Sequence, residues 1–200
     1  MTSITDDILT WSEKYLEPKN KHLGDVPVCP YARMARLKKT YRILECRNFE
    51  KFLDTILQAA EMAKDPEIQI VIVGCDDIQY EPEELAAVIH AYNLVFVPQD
   101  IYMMCSHPHD DEEEEEPVEF LDTEEWVPEN AFMMVLIQKF DELEKASDNL
   151  RKTGYYQHWP SDYYEGTVLK RQSYRRYRNA KTKIKNGKKQ TRAISPFLCS

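Results

Sequence analysis

The chain is expected to adopt an α/β fold, a two-layer sandwich of helices on a sheet of about four strands, followed by a basic C-terminal tail. Three observations lead to this expectation. Short apolar runs alternate with stretches of helical periodicity, the pattern of α/β domains. Residues 68–73 are almost continuously apolar, as in a strand covered on both faces. Beyond residue 155 the periodicity gives way to an aromatic stretch and then a basic one. An α+β arrangement of the same elements stays open.

The elements follow in order. Residues 4–16 are predicted as an amphipathic helix with Ser3 or Thr5 as cap, Asp6 and Asp7 in the first turn, and Ile8, Trp11, Tyr15 and Leu16 on one face. Pro18 ends it. The turn at 24–33 leads into a short helix at 32–39, which Pro30 is suited to open. Residues 41–46 read as the first strand, and Asn48 caps a helix over 49–64. The most secure strand covers 67–75, and its end carries Asp76 and Asp77. Glu81-Pro82-Glu83-Glu84 opens a helix that reaches about Tyr92. Residues 94–97 and 101–105 read as strands on either side of Pro98-Gln99-Asp100. A charged loop over 110–130 contains five consecutive glutamates, Glu112 to Glu116. Residues 132–138 form a strand, and 139–152 a helix that Gly154 ends. A single domain over 1–154 is expected, with 155–200 as a partly disordered aromatic and basic extension.

Charge divides the chain. The net charge is −9, from 26 Lys/Arg against 35 Asp/Glu. Eleven of the basic residues lie between Lys170 and Arg192 with no acid among them, leaving a body with a balance of −20. Such asymmetry points to a partner for the tail or to contact between tail and body. No apolar run is long enough to cross a bilayer, so no membrane role is expected. The N-terminus has no basic region followed by an apolar one, and five cysteines without a framework spacing fit reduced thiols; both favour the cytoplasm. With only five glycines, the chain carries no phosphate-cradling loop or dinucleotide fingerprint, and no Ser-His-Asp signature is present.

Three sets of residues are candidates for chemistry. Cys105, His107 and His109 sit two apart at the end of a strand, so a continued strand would project all three from one face towards a zinc or iron ion. Pro108 signals that the strand is ending, and the alternative is a buried thiol followed by two histidines of a surface loop. Cys29 precedes a helix N-terminus, where the helix field together with Arg33 and Arg36 would favour a thiolate nucleophile. The alternative for Cys29 is a small apolar residue in a turn. Arg171, Arg175, Arg176 and Arg178, interleaved with Tyr174 and Tyr177, suit phosphate pairing and base stacking. Here the alternative is a tail folded back on the acidic body.

The segment Val28-Cys29-Pro30-Tyr31-Ala32 resembles the Cys-Pro-Phe-Ala motif of an uncharacterised bacterial α/β family, a domain of unknown function. In that family a tryptophan-bearing helix precedes the motif and a later strand ends in Ser-Phe-His-Pro. Trp11 takes the first place in this chain, and Ser106-His107-Pro108 the second, without the phenylalanine. Where the family carries His and Arg in a further strand-to-helix segment, this chain has Val135 and Gln138. The resemblance spans roughly residues 11–150 and implies that Cys29 and His107 meet in one cleft as a catalytic pair. It brings no activity with it.

Two function classes follow. One is a small enzyme or metal/thiol site built on Cys29, Cys105, His107 and His109, acting on an unidentified small molecule. The other is a non-enzymatic accessory protein whose tail binds nucleic acid or an acidic protein.

Overall fold

The computed structural model describes residues 3–109 and 131–193, so the acidic loop expected over 110–130 lies outside the described residues. The chain enters through α1 (Ile4–Trp11), opened by a capping box in which the Ser3 hydroxyl accepts the Asp6 N–H and the Asp6 carboxylate accepts the Ser3 N–H. The helix then widens into a π-turn over Ser12–Leu16. Two short strands, β1 (Lys19–Asn20) and β2 (Val26–Pro27), form an antiparallel ribbon, and α2 (Ala32–Leu37) follows. A left-handed Lys39, φ 55°, turns the chain into the sheet.

The sheet has four strands: β3 (Tyr41–Cys46), β4 (Ile70–Cys75), β5 (Ile101–Ser106) and β6 (Met133–Lys139). Their spatial order is β3-β4-β6-β5, with β3 parallel to β4 and β6 antiparallel to both its neighbours. Between the strands run α3 (Phe52–Met62) and α4 (Pro82–Phe96), and α5 (Phe140–Lys152) follows β6 directly. The α/β class and the four-stranded sheet are as the alternation predicts.

Why β4 is apolar throughout is plain from its surroundings. Val71, Val73 and Cys75 face α3 and α4, packing with Phe52, Ile56, Ala60, Leu85 and Ile89. Ile72 faces the other way, against Ile4 and Ile8 of α1. Helices therefore lie on both faces of the sheet. Each such fully buried aliphatic or aromatic side chain contributes about 1.5–3 kcal/mol relative to exposure. Gly74 makes the α1 contact possible, since a Cβ there would stand 2.4 Å from Ile4 Cγ2.

The strand expected over 94–97 is not one. Residues 94–96 are the last turn of α4, and Val97–Gln99 form a 3-10 turn that a left-handed Asp100 (φ 68°) closes. The apolar residues there serve two different clusters. Phe96 packs with the α3/α4 core, Leu94 and Val97 with Tyr102 and Phe140, and Val95 is exposed. That distribution is helical, and no breaker interrupts the helix before Pro98.

The segment after α5 is helical for most of its described length. A 3-10 turn over Tyr155–His158 leads to α6 (Ser161–Tyr164), a π-turn over Glu165–Leu169, and α7 (Lys170–Ala193). Tyr174 of α7 is buried with Val97, Tyr102 and Phe140, beside the edge strand β5. At Met103 that edge is partnered by one side chain. The Asn93 amide of α4 accepts the Met103 N–H at 2.9 Å and donates to the Met103 carbonyl at 2.8 Å, in place of a fifth strand.

Candidate functional site

His107 lies just past β5 and is 5 % exposed. Its Nε2 is 2.9 Å from the Tyr80 carbonyl, which can only accept, so Nε2 carries the proton. Its Nδ1 in turn accepts the His109 N–H at 3.2 Å. Both ring nitrogens are thus engaged in fixing the exit of β5 to the segment before α4. The His109 ring packs edge-on against His107, with centroids 5.2 Å apart. Cys105 packs on the α3/α4 core. Among the described residues, no three His, Cys, Asp or Glu side chains converge to hold a metal ion.

Cys29 sits at the far corner of the fold. Its N–H donates to the Leu16 carbonyl at the end of the first π-turn, and its carbonyl accepts the Ala32 N–H at 3.1 Å at the entry to α2. The turn before it is clamped by the Tyr155 hydroxyl, which donates to the carbonyls of Pro27 and Val28. Burial pushes the thiol pKa up, and Glu17 adds to the rise. The expectation that Arg33 and Arg36 would favour a thiolate meets a physical obstacle: Arg36 is committed elsewhere. It holds Glu17 in a two-pronged pair at 2.7 and 2.8 Å and contacts Glu13 at 2.7 Å.

The fold keeps Cys29 and His107 apart. Cys29 bonds Leu16, in the π-turn whose Ser12 hydroxyl lies 3.2 Å from that of Tyr41, the first residue of β3, whereas His107 follows the last residue of β5. β3 and β5 run in the same direction and are opposite edges of the sheet. The two residues therefore occupy different edges and different ends. Strands spaced by ~4.8 Å and rising ~3.3 Å per residue put roughly 20 Å between those corners.

The tail residues divide sharply. Arg171, 3 % exposed, donates from Nε to Glu144 at 2.6 Å, and Glu144 is itself 6 % exposed. Arg175 lies 3.6 Å from Glu144 and 3.5 Å from Asp148. Arg178 pairs with Asp100 and Asp141 and stacks over the Phe140 ring at 4.9 Å. Tyr174 is buried, 2.5 Å from His90 Nδ1, and Tyr177 donates to the Leu94 carbonyl at 3.1 Å. The Tyr174 ring is therefore not presented for base stacking, and Lys181 Nζ lies over the half-buried Tyr177 ring at 4.7 Å. Of the six tail residues singled out from sequence, Arg176 alone is exposed and makes no ion pair among the described residues.

No family model, curated protein or solved structure matches the chain.

Sequence reasoning missed the acids that receive the tail. A signal was present for Glu144: it falls at helical spacing with Phe140 and Ser147, all three on the buried side of α5. Asp100 carried no such signal, because its role depends on the left-handed turn before β5.

Proposed function

We propose that the chain is a non-enzymatic accessory protein that binds nucleic acid through phosphate contacts made by the distal half of α7. The observation carrying this reading is the division of the tail. Arg171, Arg175 and Arg178 are paired with carboxylates of the body, while Lys181 and Lys183 are exposed and make no ion pair among the described residues. From Lys181 to Arg192 the sequence carries six Lys/Arg and no acid on a continuing helix. With Tyr174 and Tyr177 committed to packing, the contacts are with the phosphate backbone and carry no sequence preference.

Six phosphate contacts on duplex DNA correspond to a slope of about −5 in log K against log salt. Binding of the full chain to a duplex between 50 and 200 mM salt measures this. Changing Lys181, Lys183 and Lys185 together to Gln should reduce the slope by about 3 and weaken binding at every sequence. Unchanged affinity and slope in that variant would remove the reading.

A second reading, a thiol centre at Cys29, is supported by its place at the entry to α2, where its carbonyl accepts the Ala32 N–H, and by the resemblance of Val28–Ala32 to the Cys-Pro-Phe-Ala motif. It requires a base other than His107 and a thiol that ionises despite burial. Slow alkylation of Cys29 at neutral pH, at or below the rate of a free thiol, would dismiss it.

A further inference from the structure

We infer that Cys46 and Cys75 form a dithiol site, which a low-molecular-weight disulfide such as oxidised glutathione converts to an intramolecular disulfide. Cys46 is the last residue of β3 and Cys75 the last of β4, and the two are register partners in the parallel ladder. Both side chains lie on the α3 face of the sheet and both thiols are free. The ~4.8 Å spacing of neighbouring strands falls inside the ~4.4–6.8 Å Cα range that a disulfide spans, so closure asks for side-chain rotation and no displacement of strands.

The position at the strand ends matters. Each thiol donates to a carbonyl of the loop it opens, Cys46 to Asn48 at 3.1 Å and Cys75 to Asp77 at 3.5 Å. The loops are themselves tied, since Asp77 accepts the Phe49 N–H at 2.8 Å. A reagent therefore enters from the end of the sheet, and the loops can yield where mid-sheet backbone could not. Cys46 is 4 % exposed and Cys75 0 %, so Cys46 is met first.

The chemistry balances as thiol–disulfide exchange. The Cys46 thiolate attacks one sulfur of the small disulfide, breaks its S–S bond and releases one thiol, leaving a mixed disulfide on Cys46. The Cys75 thiolate then attacks Cys46 Sγ and expels the second small thiol. Two electrons pass from the protein dithiol to the small disulfide, and the two protein protons end on the two released thiols. The product links β3 to β4 and withdraws the S–H donors from Asn48 and Asp77. Burial raises the Cys75 thiol pKa to about 12, which makes the second step the slower one.

The test uses the intact chain. It is incubated with oxidised or reduced glutathione, quenched in acid, then unfolded, alkylated with N-ethylmaleimide and digested for mass spectrometry. The expected result is the loss of two alkylatable thiols per chain and a cross-linked peptide pair containing Cys46 and Cys75. In Cys75→Ala the reaction should stop as a glutathione adduct on Cys46, with circular dichroism confirming that the variant is folded. Full alkylation of both residues after prolonged exposure overturns the inference. So does a wild-type adduct that persists on Cys46, or a cross-link from either residue to another cysteine.

Discussion

Asn93 offers the sharpest test of how this sheet is held. An edge strand presents unpaired N–H and C=O groups, and β5 is an edge. Asn93 is 2 % exposed and supplies both partners to Met103, an acceptor at 2.9 Å and a donor at 2.8 Å. The Tyr174 hydroxyl, 2.5 Å from His90 Nδ1, ties the same helix to α7. Asn93→Leu keeps the volume but leaves both Met103 backbone groups buried without partners. Each orphaned group costs about 1–3 kcal/mol, so the loss should be roughly 2–6 kcal/mol. Against a typical total of about 5–15 kcal/mol that is a large fraction. Tyr174→Phe removes only the hydroxyl and should cost about 1 kcal/mol. Urea unfolding gives both numbers, and hydrogen exchange at the Met103 amide reports the site directly. A loss below ~1 kcal/mol for Asn93→Leu, with Met103 exchange unchanged, would refute the edge-cap argument.

Three further outcomes follow from other contacts. Gly74→Ala forces a Cβ to 2.4 Å from Ile4 Cγ2, and overpacking of this kind costs about 1–3 kcal/mol; thermal melts should show the penalty shrinking in an Ile4→Ala background, where the clashing methyl is gone. The Thr5 N–H, bonded at 3.0 Å, and the Arg47 guanidinium hold the Glu45 carboxyl down to about 2 from an ordinary 4.5. Because the folded value is depressed, its stabilisation is present above about 4.5 and lost as pH falls towards 2, so Glu45→Gln should flatten stability against pH across that window. Arg171→Met leaves Glu144 buried with only the longer 3.6 Å contact to Arg175 and should cost up to about 3–5 kcal/mol in chemical denaturation, while adding Glu144→Leu should recover most of it.

The sheet could be read from the sequence because its information is local. Residues 41–46 announce β3 to the residue, and the apolar run at 68–73 announces a strand buried on both faces. The run at 94–97 misled because composition cannot say that Leu94 and Phe96 serve different clusters while Val95 faces water. The tail misled in the opposite direction. Arg171 and Tyr174 sit in a stretch that by composition belongs in solvent, yet both are buried, because Glu144 and His90 wait on elements far away in the chain. His107 was legible as a strand-end residue but not as a saturated one, since the Tyr80 carbonyl that occupies Nε2 comes from the segment preceding α4. In each case the missing information was a long-range partner.

An acidic body carrying a basic helix poses a difficulty for nucleic-acid binding, because a balance of −20 repels the same phosphates that the helix attracts. The anchoring of α7 bears on this in two ways. Three of the body's acids that face the helix, Glu144, Asp100 and Asp141, are paired with Arg171 or Arg178, so the local field at the docked half is already reduced. The anchors also end early. Arg178 is the last cation in an ion pair among the described residues, and at 1.5 Å per residue Arg192 lies about 21 Å farther along the axis. At physiological ionic strength the Debye length is about 8 Å, so the cations from Lys185 onward, about 10 Å or more beyond Arg178, are largely screened from the acids at the anchor, while Lys181 and Lys183 still feel them. At 0.01 M it is about 30 Å and none of these cations is screened. Repulsion by the body is thus a low-salt effect, while counterion release weakens binding as salt rises. On the proposed reading the two trends oppose each other, and the steep salt dependence belongs to the range above roughly 0.1 M, where the body no longer acts on the helix from Lys185 onward.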